Sequence, residues 1–340
     1  MASEVDVDLM GRAIANAARS RFITAPNPWV GAVVAARDGS LFDGATRPPG
    51  GPHAERVALD AAGPHAAGAT VYSTLEPCGH SGRTGPCTDA LIEAEVARVV
   101  IGIADPDPQV AGSGVARLRS AGVEVEVGVR PGEVEAQLAP YLHHRRTGRP
   151  LVVLKMASSL DGRTAAADGS SRWITGAEAR AVVHRLRAES DAILVGAGTV
   201  RADDPSLTVR DWEPADDVER GADGLDPRRV VLGVAATGAN VHPCTELSGP
   251  LPAVLDQLGA EGVMQLMVEG GAHVAAQFHA DGLVDRYELF LAPALFGGDD
   301  GRPLFAGQGA PTMADVWRGR IIGVERAGDD LHVTLVPAAR

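Results

Sequence analysis

Hydrophobic residues in this chain follow two alternating periods, one suited to helices and one to strands, and the alternation runs nearly end to end. That pattern predicts layered α/β structure. Leu9, Met10, Ala13, Ile14 and Ala17 recur every three or four positions, so residues 8–19 are expected as an amphipathic helix. Val30 to Ala36 reads as a strand, and Arg37-Asp38-Gly39-Ser40 as a turn into a second strand from Leu41. A short helix is expected from about His53, a strand over 69–75, and a helix carrying Cys87 through Glu95. Strands over 96–103 and 123–129 follow, with a helix between them. The run His143-His144-Arg145-Arg146-Thr147-Gly148-Arg149-Pro150 is polar, basic and closed by proline. The domain boundary is placed there, giving domains 1–147 and 148–340.

The second half restarts with an apolar strand, Leu151 to Met156, then a helix over 177–187 and strands over 192–195 and 230–234. A helix over 251–258, a strand over 265–268, a helix from Gly271 and a strand over 286–291 come next. A strand pair near Ile321 and Leu331 closes the sheet. Residues 211–226 are acidic and punctuated by Gly and Pro, and read as a solvated loop.

Composition narrows the function classes. A length of 340 residues suits two domains, and 45% hydrophobic with 22% charged residues suits a soluble, core-forming chain. No apolar run approaches the ~18 residues of a membrane helix. The N-terminus, Met1 to Asp6, is acidic where a secretory signal is basic and then apolar, so a cytoplasmic location is expected. Thirty-one basic against 44 acidic residues leave a charge of −13, which argues against nucleic acid as partner. Three cysteines, Cys78, Cys87 and Cys244, are too few for a disulfide framework and read first as metal or catalytic thiols.

The informative cluster is His53-Ala54-Glu55 followed by Pro77-Cys78 and Cys87. One imidazole and two thiolates make a three-ligand zinc site with a fourth position open to water, the form of a catalytic site. Zinc lowers the pKa of its water toward ~7. Glu55, two residues beyond His53 at a helix start, can take that water's proton and hand it to a leaving amine. His-x-Glu with Pro-Cys and a second Cys is the signature of zinc nucleobase deaminases. Their usual spacing is Cys-x-x-Cys, whereas eight residues separate Cys78 from Cys87. On spacing alone, a catalytic zinc and a chance trio stand level.

The intervening text decides between them. Thr74-Leu75-Glu76-Pro77-Cys78-Gly79-His80-Ser81-Gly82-Arg83-Thr84-Gly85-Pro86-Cys87 resembles the deaminase domain of the bifunctional riboflavin-biosynthesis deaminase–reductases, which carry this long insertion. Pro26-Asn27-Pro28-Trp29-Val30-Gly31 and Asp105-Pro106-Asp107-Pro108-Gln109-Val110-Ala111-Gly112 extend the resemblance. It implies that His53, Cys78 and Cys87 hold Zn2+, that Glu55 shuttles the proton, and that Asn27 contacts the pyrimidine, where an amide offers the paired donor and acceptor a ring edge requires. Arg83, in the insertion, would meet the substrate phosphate or be a solvated loop cation. Relatives usually carry Gly-x-His shortly before the zinc histidine; here Gly44-Ala45-Thr46-Arg47 stands instead.

The second half lacks a Gly-x-Gly-x-x-Gly fingerprint; Val195-Gly196-Ala197-Gly198-Thr199 has only two of the glycines. Read without a family it is an α/β domain of unknown ligand. Lys155 to Arg163, Ser171 to Thr175, Val195 to Arg210 and Val268-Glu269-Gly270-Gly271 are similar to the reductase domain of the same family, in the same order. The implied architecture is a cytidine-deaminase-like three-layer α/β/α domain followed by a dihydrofolate-reductase-like α/β domain. The resemblance implies that Ala157, Trp173, Thr199 and Asp203 line an NADPH site and that Gly270 and Gly271 offer backbone N–H groups to its pyrophosphate. Ser171, Arg187, Leu207, Arg210 and Glu269 would hold the substrate, and Lys155, with Glu269, would stand near the ribose carbon that receives hydride. Taken singly, Arg187 could meet a helix dipole, Trp173 could be core and Asp203-Asp204-Pro205 a turn. Relatives carry a further strand–helix segment where Asn240 to Gly249 here leads almost directly into the next helix, so a shortened sheet and weaker NADPH selection are expected. Cys244 reads as an ordinary, partly buried thiol.

The expected function is successive deamination and ribose reduction of one phosphoribosyl pyrimidine, by a homodimer joined through the C-terminal domain. The closest rival keeps the deaminase alone, with a degenerate second half as a dimerisation module. A deaminase acting on tRNA or single-stranded DNA is opposed by the net charge of −13 and by only three Tyr and four Trp for base stacking. A scaffold with a structural zinc is the non-enzymatic alternative.

Overall fold

The structure, a computed structural model, describes residues 3–79, 85–107, 111–221 and 224–338. Its contacts divide the chain into two compact units, Met1–Gly148 with Pro214–Gly224, and Arg149–Glu213 with Leu225–Arg340.

In the first unit, helix α1 (Glu4–Ala18) precedes strands β1 (Gly31–Ala35) and β2 (Leu41–Ala45), helix α2 (Ala54–Ala62) and strand β3 (Thr70–Leu75). Helix α3 (Cys87–Glu93), strand β4 (Arg98–Ile103), helix α4 (Ser113–Ser120), strand β5 (Glu124–Val127) and helices α5 (Pro131–Gln137) and α6 (Ala139–Thr147) complete it. The strands lie in the order β2-β1-β3-β4-β5. The β1 pairings are antiparallel, whereas β3, β4 and β5 run parallel. Successive strand residues point to opposite faces. Tyr72 of β3 donates to Asp6 of α1 (2.9 Å), while its neighbour Ser73 donates to Glu55 of α2 (3.3 Å). The two helices therefore cover opposite faces, and the unit is a three-layer α/β/α sandwich. Gly31 is what lets α1 lie close, since a Cβ there would sit 1.9 Å from the Ala13 carbonyl.

The second unit contains strands β6 (Leu151–Ser159) and β7 (Arg163–Ala165), helix α7 (Ala177–Ala188), strand β8 (Ala192–Gly196) and helix α8 (Ala197–Asp203). Strands β9 (Arg228–Leu232) and β10 (Thr245–Leu247), helix α9 (Leu251–Ala260), strand β11 (Gln265–Val268) and helix α10 (Ala272–Ala280) follow. The last strands are β12 (Arg286–Ala292), β13 (Arg302–Pro303), β14 (Gly319–Ala327) and β15 (Asp330–Pro337). Eight strands form one sheet, β10-β9-β8-β11-β6-β12-β15-β14, parallel except where β15 meets β12 and β14. Leu266 and Val268 pack with α9 and α10 on one face, and Met267 packs with Val183 and Leu186 of α7 on the other.

Three expectations need correction. Residues 143–147, where the domain boundary was placed, finish helix α6, because Tyr141 and Leu142 are buried and only the basic face of the helix is polar. The 240–249 stretch, expected to shorten the sheet, supplies edge strand β10 parallel to β9. Part of the segment read as a solvated loop is anchored on the first unit: the Glu219 N–H donates to the Arg19 carbonyl (2.8 Å), Phe22 bridges Arg220, and Arg47 pairs with Glu219 (2.5 Å). Its acidic residues find arginine partners there, which acidic composition alone does not reveal.

Candidate active sites

In the first unit, His53 is the N-cap of α2, Cys78 follows β3 and Cys87 is the first residue of α3. The ligand atoms of these three lie within 4.8 Å of one another. His53 Nδ1 is 3.6 Å from Cys78 Sγ and 3.2 Å from Cys87 Sγ. A tetrahedral zinc with bonds of about 2.0 Å to nitrogen and 2.3 Å to sulfur would separate N from S by about 3.5 Å. The trio fits that ion. The two sulfurs differ electronically: Cys78 is held down to about 4, chiefly by a hydrogen bond from Cys87 and helped by His53, while that bond and burial push Cys87 up. Glu55, on the first turn of α2, is 3% exposed, and burial raises its pKa above the ordinary carboxylate range.

A pocket of about 450 Å³ opens on this cluster. His53, Glu55, Cys78 and Asn27 line it together with Thr46, which occupies the place of the missing histidine. Thr46 is buried, and its hydroxyl both accepts from the Val30 N–H (3.1 Å) and donates to the Val30 carbonyl (3.3 Å). The opposite wall is Asp105 and Asp107, just beyond β4, with Tyr141 and Arg145 of α6. Buried Glu76 fixes the Asp105 loop by accepting from the backbone N–H groups of Asp105, Gly112 and Val115 (3.3, 3.0 and 3.1 Å). The carboxyl ends of adjacent parallel strands β3 and β4 thus supply the site, where open α/β sheets bind ligands.

In the second unit, Val268 pairs with Leu154, so Glu269 emerges from β11 level with Lys155 on β6. Arg187 of α7 donates to both Glu269 oxygens (2.7 and 2.9 Å) and to the Thr208 carbonyl (3.0 Å). Lys155 Nζ stands 4.0 Å from Glu269, and the three side chains are only 11–17% exposed. Burial alone would raise the Glu269 pKa, but Arg187 and Lys155 hold it at about 2. Burial lowers that of Lys155, against the pull of Glu269. Glu288, in register with Lys155 on β12, is buried and bound by His332 (2.7 Å), Thr334 (2.8 Å) and Arg286 (2.8 Å). This arrangement supplies a buried proton donor next to a carboxylate.

Comparison with known proteins agrees with both geometries. Residues 3–103 match the cytidine and deoxycytidylate deaminase zinc-binding region, and residues 150–333 match the RibD C-terminal domain. The chain is 42% identical to riboflavin biosynthesis protein RibD of Mycobacterium tuberculosis, covering 97% of this chain and 96% of that protein. It is 39% identical to RibD of Escherichia coli, covering 97% and 98%. The chain belongs to the RibD family. Solved structures agree: Acinetobacter baumannii RibD superposes with a TM-score of 0.90 at 37% identity, covering 98% of this chain and 99% of that one. A Thermotoga maritima deaminase/reductase gives 0.85 at 32%, with the same coverage. As a RibD-family member the chain is a bifunctional enzyme of riboflavin biosynthesis, a zinc-dependent deaminase and an NADPH-dependent reductase acting on a small molecule. No helix among the described residues is long and apolar enough to cross a membrane.

Against this family frame, the residues singled out from sequence fall into three groups. His53, Glu55, Cys78 and Asn27 share the first pocket with Cys87 behind the metal position, and Lys155, Arg187 and Glu269 share the second cluster. The remaining residues have the following surroundings. Thr199 Oγ1 accepts the Gly271 N–H (3.1 Å), so that donor is already engaged. Gly270 allows close packing, since a Cβ there would lie 2.5 Å from Val274. Leu207 has a left-handed backbone (φ 55°) and sinks its side chain into the core with Ile193 and Val195. Trp173 is 71% exposed under the Arg180 guanidinium (4.6 Å), which removes the core reading. Asp203 ends α8 and its carbonyl accepts from Arg172 (2.8 Å). Arg210 is exposed, bonded to Ser206 through its guanidinium (3.0 Å) and to His184 through its N–H (3.1 Å). Ser171 lies beyond β7, half-buried, and Ala157 lies on β6 against the α7 face. Arg83 lies outside the described residues. Cys244 is half-buried beside His242 (3.5 Å). Sequence reasoning missed Tyr141 and Arg145, whose only signal was their four-residue spacing, and His184, whose Nδ1 accepts from the Arg210 N–H (3.1 Å).

Proposed function

We propose that residues 1–147 deaminate 2,5-diamino-6-(5-phosphoribosylamino)pyrimidin-4-one to the aminouracil, releasing ammonia, and that residues 148–340 then reduce its ribose to ribityl. The observation that carries the reading is the convergence of His53, Cys78 and Cys87 to within 4.8 Å, with His53, Cys78 and the buried carboxyl of Glu55 lining one pocket. When bound, zinc brings the pKa of a water molecule toward ~7. Glu55 takes a proton from that water on its carboxylate and delivers it to the departing amine; its buried site raises its basicity toward that task. Asn27, on the pocket wall, holds the ring edge through its amide.

In the reduction, NADPH supplies hydride when bound. Lys155 holds a proton at Nζ for the ribose oxygen, beside the carbon that would receive the hydride, and the burial that lowers its pKa eases the proton's transfer. Glu269 keeps that ammonium in position, and Arg187, Arg210, Ser171 and the backbone at Leu207 bind the substrate. Ala157, Trp173, Thr199, Asp203 and the Gly270-Gly271 turn line the dinucleotide site.

The protein acts as a cytoplasmic homodimer joined through the C-terminal domain. Edge strand β14 supports this, with Ile321, Ile322 and Val324 each about half exposed on a strand whose outer side has no neighbour in the sheet. Such edges invite pairing with a second copy. Sedimentation equilibrium returning a monomer would remove this part of the reading.

Glu55→Gln tests the deaminase. Zinc content should stay at one per chain while ammonia release falls by about 10²–10⁴-fold. Undiminished ammonia release would refute the role given to Glu55.

A further inference from the structure

We propose that Arg145 is the cation that receives the substrate's phosphate in the deaminase pocket. This rests on the reading of the first unit as a deaminase of a phosphoribosyl pyrimidine and specifies how that ligand is recognised. At about 450 Å³ the cavity is large enough for the ribose phosphate as well as the ring. The ring belongs at the His53–Glu55 end, where the chemistry is. The phosphate, with a charge of about −1.5 to −2 at neutral pH, needs a cation elsewhere along the wall. Among the described lining residues, Arg145 alone carries a permanent positive charge.

The geometry holds this guanidinium ready without using it up. Arg145 lies one helical turn from Tyr141 on α6, and its guanidinium stacks over the Tyr141 ring at 5.1 Å. Tyr141 is itself fixed, its hydroxyl 3.1 and 3.3 Å from the two oxygens of Asp105. Asp107 stands 3.7 Å from Arg145 Nε, beyond hydrogen-bond reach, and the Nε, though buried, has no hydrogen-bond partner. The side chain is 31% exposed, and its terminal N–H groups can meet two phosphate oxygens across the guanidinium fork. Without Arg145, the Asp107 carboxylate on the same wall would repel an anion.

The test compares kcat/KM for the phosphorylated substrate and for its dephosphorylated counterpart, with ammonia release as the readout and zinc content as the check on folding. Arg145→Gln should lower the preference for the phosphorylated form by about 10–100-fold, mainly through KM. Arg145→Lys, which keeps the charge but not the fork, should recover part of it, and it covers the case in which the glutamine variant fails to fold. An unchanged preference in both variants would overturn the proposal. So would full recovery on adding Asp107→Asn to Arg145→Gln, because Arg145 would then act only by neutralising its neighbour. Absence of ammonia release from wild-type enzyme with either form would instead sink the deaminase reading, and the present proposal with it.

Discussion

The two sites use charge in opposite ways. Around His53, Cys78 and Cys87 the ligand atoms face one another at 3.2 and 3.6 Å, and among the described residues no lysine or arginine is bonded to them, so the cluster suits a cation from outside. Around Glu269 the balance is internal: Arg187 grips the carboxylate at two points and Lys155 stands 4.0 Å away. The first site should therefore depend on metal supply and be electrostatically incomplete without it. The second should be part of the fabric of its domain, and disturbing it should cost stability as well as turnover.

Replacing a zinc ligand should separate the sites most sharply. His53→Ala or Cys87→Ser should abolish stoichiometric zinc and lower deamination by at least about 10³-fold, because the acidified water goes with the metal, while NADPH oxidation with the deaminated intermediate persists. If Cys87→Ser kept full zinc and full rate, the cluster as described would be wrong. A loss of both activities together would deny the contrast.

Next in size, Glu269→Ala should destabilise the second unit by about 3–5 kcal/mol, since it leaves two buried cations unpaired, and calorimetry should show that unit melting earlier. The same carboxylate sets a pH dependence. Its pKa is about 2 when folded, against ~4.3 unfolded. Its contribution is therefore complete above ~4.3 and is lost as pH falls toward 2. A Glu269→Gln protein should lose that acid-side decline; an identical acid profile in wild type and variant would show that the pairing contributes nothing.

The smallest effect is expected where charges meet in water. Arg47 and Glu219 are 42% and 44% exposed, so Glu219→Ala should cost at most about 1 kcal/mol. A larger loss in urea titrations would mean that the backbone pairing of the 214–224 segment depends on this contact.

Legibility in the sequence followed locality. His53, Glu55, Cys78 and Cys87 stand in two short stretches whose spacing and intervening residues carry the chemistry, and the helix and strands that position them have clear periods. The second cluster is assembled from β6, α7 and β11, and nothing in the text around Arg187 says that it crosses to Glu269; a helix-end arginine facing a dipole reads the same. Tyr141 and Arg145 were hidden because the end of α6 carries so many basic side chains that it reads as a polar domain boundary, and burial of its narrow apolar side shows only in three dimensions. The Leu207 side chain fills the core, a placement that its neighbours in the sequence do not announce.

The path of the backbone has a practical consequence. It leaves the first unit after Gly148, returns for Pro214–Gly224 and departs again. A stop codon after residue 148 would therefore yield a deaminase lacking eleven residues of its own fold, with the Arg19 carbonyl and the Arg47 side chain stripped of their partners. The two enzymes cannot be excised from one another by a single cut, and a gene split at the obvious junction would hand each product an incomplete or foreign piece.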